Sequence, residues 1–165
     1  MKTLKTIMSI IATIILASCS SLQAPVIVRK APIDGYKYVF ITPTKEVVAS
    51  KGGVYGGQYG VYGETTTKSI SPSDYISGEL IKRGLIILPD LKSELTNKTL
   101  IVNYGESGRR NRGLGYTIEV TIQFVSADTH ELVCSCTAEG QGATEADDIR
   151  IAITRALSEL FKDKK

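Results

Sequence analysis

The chain has 165 residues, 20 Lys and Arg against 17 Asp and Glu, and a formal net charge of +3. That length suits one domain with one core, and so mild a charge argues against a general nucleic-acid or anionic-membrane surface, which shows as a strongly basic domain. A single histidine, His130, excludes a metal site built on several histidines and a serine triad of the usual type.

Lys2 and Lys5 give the chain a basic start, Ile7 to Leu16 is almost wholly apolar, and the run ends on small residues. This is the three-part layout of a secretory signal peptide, and it is shorter than the roughly twenty apolar residues that a membrane-spanning helix needs. Leu16-Ala17-Ser18-Cys19 resembles the lipobox of bacterial lipoproteins. The resemblance implies that residues 1–18 are cleaved as a lipoprotein signal peptide, that the Cys19 thiol takes a diacylglycerol, and that the new amino group is acylated too. Two or three acyl chains hold stably where one holds marginally, so the membrane would be a partner through the lipid on Cys19. Ser20, where an aspartate would signal retention in the best-known sorting system, is similar to the pattern of lipoproteins carried to the outer membrane, which implies an anchored domain facing the periplasm. Loss of Lys2 and Lys5 leaves 18 basic side chains against 17 acidic ones, close to neutral.

Residues 19–34, with Pro25 and Pro32 and no periodicity, read as the lipidated N-terminus and a tether. A single domain is expected over 35–162. Tyr36 to Thr42 is rich in aromatic and β-branched residues and reads as the first strand. An insertion at 51–67 then alternates glycine with tyrosine. Tyr55, Tyr59 and Tyr62 would offer flat, amphipathic contact area to a partner or a glycan; alternatively the segment is a flexible connection with no ligand. Ser71-Pro72-Ser73-Asp74 opens a helix with a serine cap, proline at the first helical position and aspartate three residues after the cap. Ile76 and Leu80 share one helix face, and Gly84 suits a left-handed stop. Leu85 to Leu88 reads as a buried extended segment ending at Pro89.

Thr99 to Tyr104 reads as a strand. In Tyr116 to Val125 the residues Tyr116, Ile118, Val120, Ile122 and Phe124 share one face, and Thr117, Glu119, Thr121 and Gln123 the other. Ala127 to His130 supplies turn chemistry, and Leu132 to Ala138 returns antiparallel with Cys134 and Cys136 inward. Those two thiols, two residues apart on one strand, are poorly placed to bridge. Thr144 caps a final helix whose apolar stripe runs from Ile149 to Leu160, and Asp147 and Asp148 suit its first turn. The fold class expected is α+β: a two-layer sandwich of a mostly antiparallel four-stranded sheet with two helices on one face. This element order, from Tyr36 to Phe161, is similar to small α+β modules of outer-membrane lipoprotein families of unknown function and to periplasmic domains that assist secretion and envelope assembly.

No nucleophile pairs with a base, so neither an enzyme, a cofactor nor a metal is expected. Cys134 and Cys136 read as packed apolar side chains, and Glu145, Asp147 and Asp148 as cap and dipole chemistry. The most pointed constellation is Gly105 to Gly115, which carries Arg109, Arg110 and Arg112 in what reads as a glycine-framed loop. Planar guanidinium groups there would grip phosphate or carboxylate; a solvated loop is the plainer reading. The function expected is a non-enzymatic, lipid-anchored envelope protein that binds another envelope protein or an anionic envelope component and no nucleic acid. The alternative is a structural lipoprotein without a specific ligand.

Overall fold

The computed structural model describes residues 21–43, 47–57, 60–112 and 115–162. The signal-peptide stretch, Cys19 and Tyr59 lie outside them. Among the described residues eight strands and two helices follow in chain order: β1 Val26–Arg29, β2 Tyr38–Ile41, β3 Val47–Gly57, β4 Gly60–Ile70, α1 Pro72–Ile81, β5 Ile86–Ile87, β6 Thr99–Arg112, β7 Gly115–Ser126, β8 Leu132–Gly140 and α2 Glu145–Leu160, with a 3-10 segment Ser93–Lys98 before β6.

The fold is α+β, and its main sheet differs from expectation in number and direction of strands. Six strands run in the order β1-β8-β7-β6-β2-β5. β1, β8, β7 and β6 pair antiparallel, while β2 is parallel to both β6 and β5. The parallel pairings follow from the connections. A parallel neighbour requires a crossover of a dozen or more residues, and the segment between β2 and β5, which contains α1, supplies one. Of the two additional strands, β5 lies within the extended segment expected over Leu85 to Leu88, although Ile86 is 43% exposed and not buried as expected, and β1 falls outside every expected strand. β5 is two residues long, and β1 is four residues between prolines that acquire strand geometry by pairing with β8 at Val26↔Thr137 and Ile27↔Cys136. Sheet therefore occupies part of the segment expected as a tether, and Ile33 beyond it is only 3% exposed.

Both helices pack on one face of the sheet around a single cluster. Val39, Leu100, Val102, Ile118, Ile122, Phe124, Cys134 and Cys136 of the strands meet Ile76 and Leu80 of α1 and Ala152, Ile153, Leu157 and Leu160 of α2. Period-two alternation in β7 carries this arrangement, as its pattern requires. Phe124 meets Phe161 edge to face, ring centroids 6.4 Å apart, an arrangement that aromatic quadrupoles favour. Both expected caps form. Ser71 Oγ accepts from the Asp74 amide at 3.4 Å and Thr144 Oγ1 from the Asp147 amide at 3.2 Å, and Gly84 has φ +83°.

β3 and β4 pair only with each other, Val47↔Ile70 through Gly57↔Gly60, as a separate two-stranded ribbon. The glycine-tyrosine segment thus lies within an extended antiparallel ribbon.

Candidate functional site

The expected arginine loop is sheet. β6 runs without a break to Arg112, with a bulge at Glu106/Gly108, and pairs with β7 at Arg109↔Ile118, Arg110↔Thr117 and Arg112↔Gly115. The strong alternation of β7 supplies a partner ladder along its whole length, and four glycines between 105 and 115 do not outweigh it. Tyr116, expected on the buried face, stands beyond the core and is 37% exposed.

Strand geometry sends successive side chains to opposite faces, and the partners of the arginines follow that rule. Arg109 reaches the helix side, where Nη2 lies 2.8 Å from Glu145 Oε1 in the first turn of α2; its Nε lies 2.5 Å from Glu106 Oε1. The guanidinium also sits 5.2 Å from the Tyr116 ring centroid. Arg110 reaches the opposite side and grips Glu139 with two parallel bonds of 2.7 and 2.6 Å, the bidentate geometry that suits a carboxylate. Arg112 donates to Gln141 Oε1 at 2.9 Å.

Glu139 is the hub of this end of the molecule. Besides Arg110 it accepts from the Gln23 amide at 2.9 Å and from Thr117 Oγ1 at 3.4 Å, and its own carbonyl accepts from Arg155 Nη1 at 2.5 Å. Arg155 Nη2 donates to the Gln23 carbonyl at 2.6 Å. Four parts of the chain, the N-terminal segment, the β6-β7 hairpin, the end of β8 and α2, are tied at one point. The Arg110 hydrogen bonds hold the Glu139 carboxyl down to about 2 against the desolvation of its buried site. Sequence reasoning missed Glu139 because a lone glutamate on a strand carries no motif.

Close approach of backbones reinforces this hub. A Cβ on Gly140 would collide with the Asp148 carbonyl and lie 2.7 Å from Ala152 N, so glycine lets β8 lie against α2. Asp148 accepts from the Gly142 amide, and its carboxyl is raised by burial. Asp147 accepts from the hydroxyl of the cap residue Thr144 at 3.0 Å and forms an ion pair with Arg150 at 3.2 Å. The acidic cluster at the start of α2 is thus partnered within the fold.

No family model matches the chain, and no curated protein matches it. Among solved structures it is similar to PelC of Paraburkholderia phytofirmans, described as a dodecamer. A leucine-to-methionine form of that protein aligns over 82% of this chain and 96% of its own at 14% identity and TM-score 0.46. A second crystal form gives the same coverage and identity with TM-score 0.44.

Other candidates fall apart in space. His130 is exposed in the β7-β8 turn with φ 59°, whereas Cys134 and Cys136 are 1% and 0% exposed on the core face and both free. Burial pushes the Cys134 thiol up to about 11 and Cys136 further up, so neither offers a thiolate at neutral pH. No cluster of three metal-ligating side chains occurs among the described residues. Tyr55 and Tyr62 oppose each other in the ribbon register.

The face of the sheet away from the helices is shallow, polar over β6, β7 and β8 and edged by the exposed Val26 and Val28 of β1. Asn103, Gln123, Ser135 and Val28 form one row across four strands, and Gly105, Thr121, Thr137 and Val26 the next. A depression of about 230 Å³ opens there beside the β6 bulge, lined by Asn103, Glu106, Ser107, Thr121 and Gln123.

Proposed function

We propose that this chain is a lipid-anchored envelope domain that acts by binding and carries no catalytic centre. The observation that carries the reading is the placement of Leu16-Ala17-Ser18-Cys19 four residues before Gln23, whose amide and carbonyl are both held by the domain. An acylated Cys19 would leave a short leash, so that the domain rides at the bilayer. The ribbon of residues 47–70, separate from the main sheet, is the surface proposed for an envelope protein or component, with the segment 51–67 as its contact region. Arg110, whose guanidinium group already holds Glu139, belongs to the N-terminal hub, and Arg109, held by Glu106 and Glu145, ties the hairpin to α2. The inert thiols and the isolated His130 support a binding role over catalysis.

Mass spectrometry of the protein extracted from host membranes tests the anchor. The N-terminal peptide should begin at Cys19 and carry diacylglycerol, and Cys19→Ser should release the chain from the membrane fraction. A processed chain that begins elsewhere and partitions to the soluble fraction overturns the reading. In-membrane crosslinking with the wild type and with a form lacking residues 51–67 tests the binding surface. Partners captured equally by both would favour a structural lipoprotein.

A further inference from the structure

The groove between α1 and α2 is a second place where basic side chains gather, and it adjoins the hub. Tyr75, Arg150, Ile151, Thr154 and Arg155 enclose about 240 Å³. On its floor Thr154 Oγ1 donates to the Arg150 carbonyl at 2.9 Å and lies 2.8 Å from Tyr75 Oη. The side chain of Arg150 is 51% exposed and meets one carboxylate, Asp147, at 3.2 Å. Both hydrogen bonds of Arg155 run to main-chain carbonyls, those of Glu139 and Gln23, so neither neutralises its charge. Two guanidinium groups on one groove suit a phosphate monoanion, which takes charge-assisted bonds from planar donors.

Position selects the source of that phosphate. Arg155 holds Gln23, and at about 3.5 Å per residue four residues reach no further than about 14 Å, so an acyl group on Cys19 keeps this part of the domain close to the bilayer surface. We propose that the groove between α1 and α2 binds the phosphate of an anionic phospholipid headgroup and so seats the domain on the bilayer in one orientation. The inference rests on the acyl anchor at Cys19. The bond to Gln23 links the two, since the side chain that closes the groove also fixes the root of the leash.

The test uses the lipidated mature protein in vesicles of phosphatidylglycerol and of phosphatidylcholine, each doped with a phospholipid bearing a photoactivatable headgroup, with adducts mapped by mass spectrometry. Phosphatidylglycerol should concentrate adducts on Tyr75 and residues 150–155. Arg150→Gln, which alters an exposed ion pair and leaves the hub intact, should cut their yield about fivefold, the effect of one cation near an anionic surface. Equal labelling in both vesicles, or labelling indifferent to Arg150→Gln, overturns the proposal. Suppression of the adducts by millimolar inorganic phosphate also overturns it, by making the groove a site for the free ion. The mass of the Cys19 peptide is measured on the same sample. An unmodified Cys19 removes the anchor on which the proposal stands, whereas an acylated Cys19 with no adducts in the groove removes the groove alone.

Discussion

The ribbon β3-β4 and the hairpin β6-β7 look alike as sequence. Each alternates glycines with tyrosines or arginines and lacks a continuous apolar face near its tip. Their structural situations are opposite. The hairpin lies in the middle of the six-stranded sheet and is bolted at its far end to Glu139, Glu145 and Gln141, whereas the ribbon pairs with no strand of that sheet. Glycine content therefore says little about order by itself. What differs is whether further strands pair along both edges.

The sharpest way to break this contrast is at the foot of the hairpin. Gly140→Ala drives a methyl into the Asp148 carbonyl of α2 and should cost about 3 kcal/mol by overpacking, read as a lowered urea midpoint. Glu139→Gln comes next. It keeps the shape but removes the charge that Arg110 and the Gln23 amide share, for a loss of about 2 kcal/mol. The pH dependence checks its cause. Because the folded carboxyl sits at about 2 against an ordinary 4.5, its contribution is complete above pH 4.5 and is lost as pH falls from 4.5 through 2. Melting temperatures of the wild type should fall over that window, and Glu139→Gln should lack that part of the decline.

Arg109→Ala should cost less than about 1 kcal/mol, since its ion pairs with Glu106 and Glu145 are largely exposed. Smallest is the ribbon. Excision of residues 51–67 shortens a connection between β2 and α1 and should move the unfolding free energy by no more than about 1 kcal/mol, while partner capture in membranes falls away. A loss as large as that of Glu139→Gln would show instead that the ribbon braces the domain, and the contrast with the hairpin would fail.

Elements with strong local signals were legible. The inward face of Ile118, Val120, Ile122 and Phe124, the caps at Ser71 and Thr144, the stop at Gly84 and the inward cysteines all appear where the pattern places them. Each rests on interactions within a few residues, or on a period that has one way to bury itself. The hub was not legible. Its members, Gln23, Arg110, Glu139 and Arg155, span 132 residues between the outermost, and a carboxylate 29 residues from its arginine leaves no spacing to read.

Sequence alone determined the α+β class, both caps, the core faces of β7, β8 and α2, and the lipobox pattern on which the proposed anchor rests. Those features follow from side-chain chemistry acting over one turn of helix or one step of strand. Tertiary structure decided the rest. It added β1 and β5 to the sheet, turned β2 parallel to its neighbours, drew the arginine segment into a strand, and gave Arg109 and Arg110 their carboxylates. Short strands and ion pairs of this kind exist only once the core has brought distant backbone together, because the hydrogen bonds and charges that define them belong to no single stretch of chain.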